Sequence, residues 1–155
     1  YVKVKKQWKY LYRAVDSEGN TLDFLLTAKR DANAAKRFFI KVLKGTNIQE
    51  PRVINVDKNP SYPPAIEQLK KSGILPENTE LRQVKYLNNL VEQDHRGVKH
   101  SIDPGMSFGS FNSARRTIEG YEAMSMIRKG QIQDVEKGNV MGQICFINQI
   151  FGLAA

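Results

Sequence analysis

"WKYLYRAVDSEGNTLDFLL", residues 8–26, decides the fold class. Aromatic and β-branched residues crowd both halves, and "DSEGN" at residues 16–20 is turn chemistry between them. The stretch therefore predicts two antiparallel strands, with residues 1–16 and the run "TLDFLLTAKR" forming a hairpin or meander. The pattern is already that of a strand at Tyr1, with no methionine and no turn before it, so a segment upstream is expected.

Working outward, Asp31 is a helix N-cap and Gly45 a C-terminal stop, with Ala35, Phe38, Phe39, Val42 and Leu43 at helical spacing between them. "RVINVD", residues 52–57, reads as a short apolar strand ending in an acid. Pro60, Pro63 and Pro64 lead into a helix that carries Ile66 and Leu69 and stops at Gly73. "ELRQVKY", residues 80–86, reads as another strand, and "YLNNLVEQDHRGVKH", residues 86–100, as a helix. A last long helix is expected over residues 107–129, with Phe108, Phe111, Ala114, Ile118, Tyr121, Met124 and Ile127 as its apolar stripe. Strands, helix, strand, helix, strand, helices is the order of an α/β domain with a mixed sheet and helices packed on it. Trp8, Tyr10 and Tyr12 are assigned to sheet packing.

Composition bounds the function. The chain has 155 residues, enough for one domain that buries about 68–70% of its unfolded surface. One cysteine, Cys145, allows neither an internal disulfide nor a paired-cysteine metal site, and it is expected to be a small buried or inert thiol. This usage suits a reducing, cytoplasmic setting. No apolar run reaches the length of a membrane span, and no signal peptide is read. Twenty-four basic against sixteen acidic residues give a net charge of +8, which favours a polyanionic partner, nucleic acid first.

Two acids carry the chemistry. Asp57 ends a strand, where a side chain is held rigidly and then meets solvent; in open α/β sheets ligands bind at such strand ends. By itself it could equally cap the turn "DKNP". Glu92 lies on a helix with His95, Arg96 and Lys99 within about 60° of it on the same side. By itself it could be half of an ordinary exposed ion pair with Arg96. From Asp57 to Glu92 is 35 steps, so 34 residues lie between them. A strand-end acid, that gap, and a helical acid followed two turns later by a base is the pattern of metal-dependent phosphoryl transfer. Carboxylate oxygens suit Mg²⁺, and two ions about 3.5–4 Å apart can activate the attacking oxygen and stabilise the leaving one.

"WKYLYRAVDSEGNTLDFLL", "VDKNPSYPPAI", "YLNNLVEQDHRGVKH" and "SFNSARRTIEGYEAMSMIRKGQI" resemble the catalytic core of bacterial insertion-sequence transposases, in particular the cointegrate-forming family with an Asp-Asp-34-Glu (DDE) site. The likeness runs over about residues 1–153. It implies a ribonuclease H-like fold, with a central mixed five-stranded sheet, helices on both faces and the first strand partly truncated. Residues 1–130 would be the core, and residues 131–155 a tail or helix packing on it. The implied activity is nicking at 3′ ends of the element, then strand transfer into target DNA. By match, Asp57 and Glu92 are catalytic metal ligands and Lys99 a catalytic residue that contacts DNA. His95 and Arg96 sit beside it, and Arg115 and Arg116 are further DNA-binding candidates. The implied cofactor is Mg²⁺ or Mn²⁺ in a two-metal site. The implied partners are transposon ends, target DNA and further copies in the synaptic complex, with no membrane and a nucleoid-associated location.

Two departures matter. The family carries its first catalytic Asp in an Asp-Glu-Thr just before the Tyr-Val-Lys-Val seen at residues 1–4, and neither Asp16 nor Asp23 substitutes for it. The site is therefore expected to be incomplete without the upstream Asp, and this chain alone to be inactive or nearly so. Lys6 stands where the family has a glycine at the first strand turn. The alternative function is a truncated, catalytically inactive remnant that binds DNA or oligomerises. A third class, another ribonuclease H-like nuclease such as a resolvase, is opposed by "SARRTIEGYE".

Overall fold

The computed structural model describes residues 1–45, 50–84, 89–101 and 107–153, with side chains 91–97 described in the helix at 89–101. The elements run β1 (Val2–Val4), β2 (Gln7–Val15), β3 (Thr21–Thr27), α1 (Ala32–Leu43), β4 (Val53–Val56), α2 (Tyr62–Lys71), β5 (Glu80–Gln83), α3 (Asn89–Ser101), α4 (Phe111–Arg128) and α5 (Val140–Ile150). Among the described residues, no helix is long and apolar enough to cross a membrane.

The predicted hairpin forms. β2 pairs antiparallel with β3, Leu11 opposite Leu26 and Tyr12 opposite Leu25, so alternate residues point to opposite faces. One face carries Tyr12 into a core with Phe38, Phe39, Ile66 and Leu69 of α1 and α2. The other carries Leu11 against Phe24 and Leu26, and against Ala114 and Ile118 of α4. Helices thus cover both faces of this sheet. Ile118 and Leu69 are completely buried, and each such side chain contributes about 1.5–3 kcal/mol.

Local signals set the helix ends. Asp31 caps α1, its carboxylate accepting the Ala34 N–H. Prolines occupy the first turn of α2, and its C-terminal turn closes through Gly73 in the left-handed region at φ 68°. Ser110 and Ser113 form a reciprocal cap at the start of α4.

The single five-stranded sheet expected from the sequence is not what forms. The strands make a three-stranded sheet in the order β1-β2-β3 and a separate parallel pair, β4-β5. β1 reaches only Gln7–Lys9 of β2, so among the described residues that edge of β2 bears no strand beyond Lys9. A ladder needs neighbouring strands about 4.8 Å apart. Here residues 11–16 and residues 53–57 instead both line a cleft of about 1030 Å³.

Three smaller expectations change. Trp8 is 54% exposed, with the Lys3 ammonium 5.3 Å from its ring, rather than packed in the sheet. Cys145 is exposed on α5, and no residue of that helix is buried. The strand expected to reach residue 86 is described only as far as Gln83, and residues 85–88 lie outside the described residues.

Candidate active site

Asp57 follows β4 directly. Val56 before it is buried, which anchors the strand end, and Asp57 itself is solvent-exposed. Its two oxygens do different work. Oδ1 accepts the Asn59 N–H at 3.0 Å and closes the turn, and Oδ2 meets Arg30 Nη2 at 2.8 Å. Arg30 Nη1 also donates to the Tyr1 hydroxyl at 3.2 Å. Gln83, from the end of β5, donates to the Asn59 carbonyl at 3.2 Å and ties the neighbouring strand to the same turn.

This charge arrangement perturbs its neighbours. Burial alone would lower the Arg30 pKa, but the Asp57 charge and hydrogen bond outweigh it and hold the guanidinium above its ordinary value. Burial and the nearby Asp57 carboxylate push the Tyr62 hydroxyl up to about 12, against an opposing pull from Arg30.

Glu92 is exposed on the first turn of α3 and lines the same cleft as Asp57. His95 and Arg96 line it with Glu92, as a helix of 3.6 residues per turn requires of positions three and four apart. The Lys99 side chain lies outside the described residues, though its backbone belongs to α3. Arg115 and Arg116 are elsewhere. Both are exposed on α4, Arg115 pairs with Glu119 at 2.9 Å, and neither lines the cleft.

Asp57 and Glu92 offer the hard oxygen donors that Mg²⁺ or Mn²⁺ prefers. Among the described residues, no group of three or more metal-ligand side chains comes together. Asp16 also lines the cleft, but its carboxylate accepts the Glu18 and Asn20 N–H groups and the Asn20 amide. Those hydrogen bonds hold its pKa below the usual range, although burial opposes the shift. Asp23 is engaged by Lys41 at 2.7 Å.

The residues that support these acids did not stand out in the sequence. Arg30 ends "TLDFLLTAKR", a run whose sequence reads as strand. Asp94 and Glu122 are the carboxylates of a buried ion cluster with Arg13. For Glu122 a signal existed: it continues the buried row Ala114, Ile118 at the next i+4 position, where an apolar residue is expected.

Comparison with known proteins adds an independent line. A family profile described as a DDE domain matches residues 1–131. Over 129 residues the chain is 36% identical to the transposase for the insertion sequence-like element IS431mec of Staphylococcus aureus strain Mu50, covering 83% of this chain and 55% of that protein. The transposase for insertion sequence element IS257 in transposon Tn4003, also from Staphylococcus aureus, shows the same identity and coverage. An uncharacterized protein of Yersinia pseudotuberculosis is 43% identical over 74 residues, covering 47% of this chain and 69% of that protein. The chain spans about half the length of the curated transposases it matches. No solved structure matches it.

Proposed function

This chain belongs to the DDE-domain family of insertion-sequence transposases, and on that premise we propose that its cleft is the phosphoryl-transfer site acting on DNA. The observation that supports this most is that Asp57 and Glu92, on separate elements with 34 residues between them, line one cleft together with His95 and Arg96. Asp57 and Glu92 would hold Mg²⁺ or Mn²⁺. When bound, the metal supplies activation of the attacking oxygen and stabilisation of the leaving one.

The remaining work falls to this chain's own side chains. Arg30 holds Asp57 through Oδ2, and the Asn59 N–H fixes the other oxygen. Arg96 on the cleft wall binds and orients a DNA phosphate, with Lys99 one turn further along the helix and Arg115 and Arg116 as outlying contacts. The reaction is 3′-end nicking of the element followed by attack of the freed 3′-OH on target DNA, carried out by several copies on paired ends. With DNA as its partner, the protein works at the bacterial nucleoid.

A second reading is a DNA-binding or oligomerising chain without catalysis; it fits the observation that, among the described residues, no group of three or more metal-ligand side chains comes together. Titration with Mn²⁺, followed by electron paramagnetic resonance, tests the site. Asp57→Asn and Glu92→Gln are each expected to weaken binding roughly tenfold or more. Unchanged binding in both would remove these residues from the metal site. Nicking of supercoiled DNA by this chain with Mn²⁺ would exclude the second reading, whereas DNA binding without nicking would support it.

A further inference from the structure

Helix α3 carries Glu92 and is tied to the sheet and to α4 by charge. Among its described side chains, 91–97, the only aliphatic one is Val91, and none is fully buried. Arg13 rises from β2 toward α3 and α4, with only 2% of its side chain exposed. Its Nη2 lies 2.7 Å from Asp94 Oδ2 on α3. Its Nε and Nη2 donate to the two oxygens of Glu122 on α4, at 2.5 and 2.7 Å. Lys129 Nζ approaches Asp94 Oδ1 at 2.5 Å and donates to Thr21 Oγ1 at 2.9 Å. Two cations thus face two anions, and one guanidinium fork spans carboxylates from two helices.

The helical phase gives this cluster a consequence. At about 100° per residue, Asp94 points some 200° away from Glu92. Asp94 therefore turns toward the sheet, and Glu92, His95 and Arg96 turn toward the cleft. Apolar contacts tolerate a helix rolling about its axis. A short, buried ion pair restrains that roll, as buried charges fix register in some proteins.

We propose that Arg13 is a positioning residue for the candidate site: through Asp94 it sets the rotation of α3 and so aims Glu92 into the cleft that Asp57 lines. This rests on the assignment of Glu92 as a metal carboxylate. Arginine suits this position better than lysine, because its planar fork sets Nε and Nη2 against the two Glu122 oxygens while Nη2 also lies beside Asp94. Burial alone would lower the Arg13 pKa, but Glu122 and Asp94 together raise it, in keeping with a permanently charged hub.

The test uses Asp94→Asn, Arg13→Lys, Glu92→Gln and, as an exposed ion-pair control, Arg82→Ala, each in the full chain. Hydrogen exchange across residues 89–101 and Mn²⁺ affinity are read for every variant. Asp94→Asn keeps the side chain's size and leaves the Arg13–Glu122 pair intact, so the fold survives. It is expected to speed exchange in α3 roughly tenfold, with α1 and β3 unchanged, and to lower Mn²⁺ affinity. Arg13→Lys is expected to do the same, and Arg82→Ala to do neither. Glu92→Gln is expected to lower Mn²⁺ affinity without loosening α3. Unchanged exchange in Asp94→Asn overturns the clamp. Loosened exchange with wild-type Mn²⁺ affinity in Asp94→Asn, while Glu92→Gln binds weakly, overturns the positioning role and leaves the site standing. Wild-type Mn²⁺ affinity in Glu92→Gln overturns the assignment of Glu92 itself, whatever α3 does.

Discussion

Tyr62 is the residue whose chemistry the site shifts furthest. Its hydroxyl is pushed up to about 12 by burial and by the Asp57 carboxylate, against an ordinary value of 10.0. The folded state therefore holds this proton more tightly than the unfolded state. The resulting stability is fully present below pH 10 and is lost as pH rises from about 10 to about 12. Across that window the loss is no more than about 2–3 kcal/mol. Tyr62→Phe is expected to show a shallower decline than the parent when urea midpoints are compared at pH 9, 10 and 11. Equal declines would mean the hydroxyl is less shielded than the structure indicates. Asp57 shows why residue roles were only partly legible beforehand. Turn cap and site acid stood as alternatives in the sequence, yet one oxygen serves the turn and the other serves Arg30.

At the scale of elements, the β1–β2 hairpin turns through Lys5 and Lys6, at φ 47° and 64°. Both are in the left-handed region, which costs a residue with a Cβ about 1–2 kcal/mol. The turn is held from outside, as the Lys5 N–H donates to the Phe108 carbonyl and the Lys6 N–H to the Ser107 hydroxyl. Lys6→Gly is expected to raise stability by about 0.5–1 kcal/mol, part of the strain relief being offset by the greater freedom of glycine when unfolded. Thermal unfolding checks this, and a lower midpoint would show that the turn is not strained. The departure at Lys6 was visible in the sequence, but its backbone angle was not. Helix α1 was legible nearly to its ends, because Asp31 and the apolar spacing act within a few residues. The ion pairs that tie α3 to β2 and to Lys129 were not, because charged residues on a helix look like a solvated face.

For the whole molecule, the proposed DNA role, with a net charge of +8 and basic residues lining the cleft, predicts binding driven by counterion release. Binding to a duplex of arbitrary sequence, followed by fluorescence anisotropy, is expected to weaken steeply and linearly on a log–log plot against salt. Arg96→Gln is expected to flatten that slope by about 0.9, the increment that neutralising a single phosphate contributes. An unchanged slope would remove Arg96 from the DNA interface. The sequence by itself determined the α/β class, most helices and strands, and two acids with 34 residues between them. Periodicity, caps and turn residues encode these over short distances, and the family motifs are linear. Only the tertiary structure decided that the strands divide into a sheet of three and a pair, with a cleft between them. It alone brought Arg30 to Asp57, 27 positions away, and Arg13 to Glu122, 109 positions away. Such pairings depend on how β2, α3 and α4 pack together, and no local pattern in the chain records which charges that packing will bury side by side.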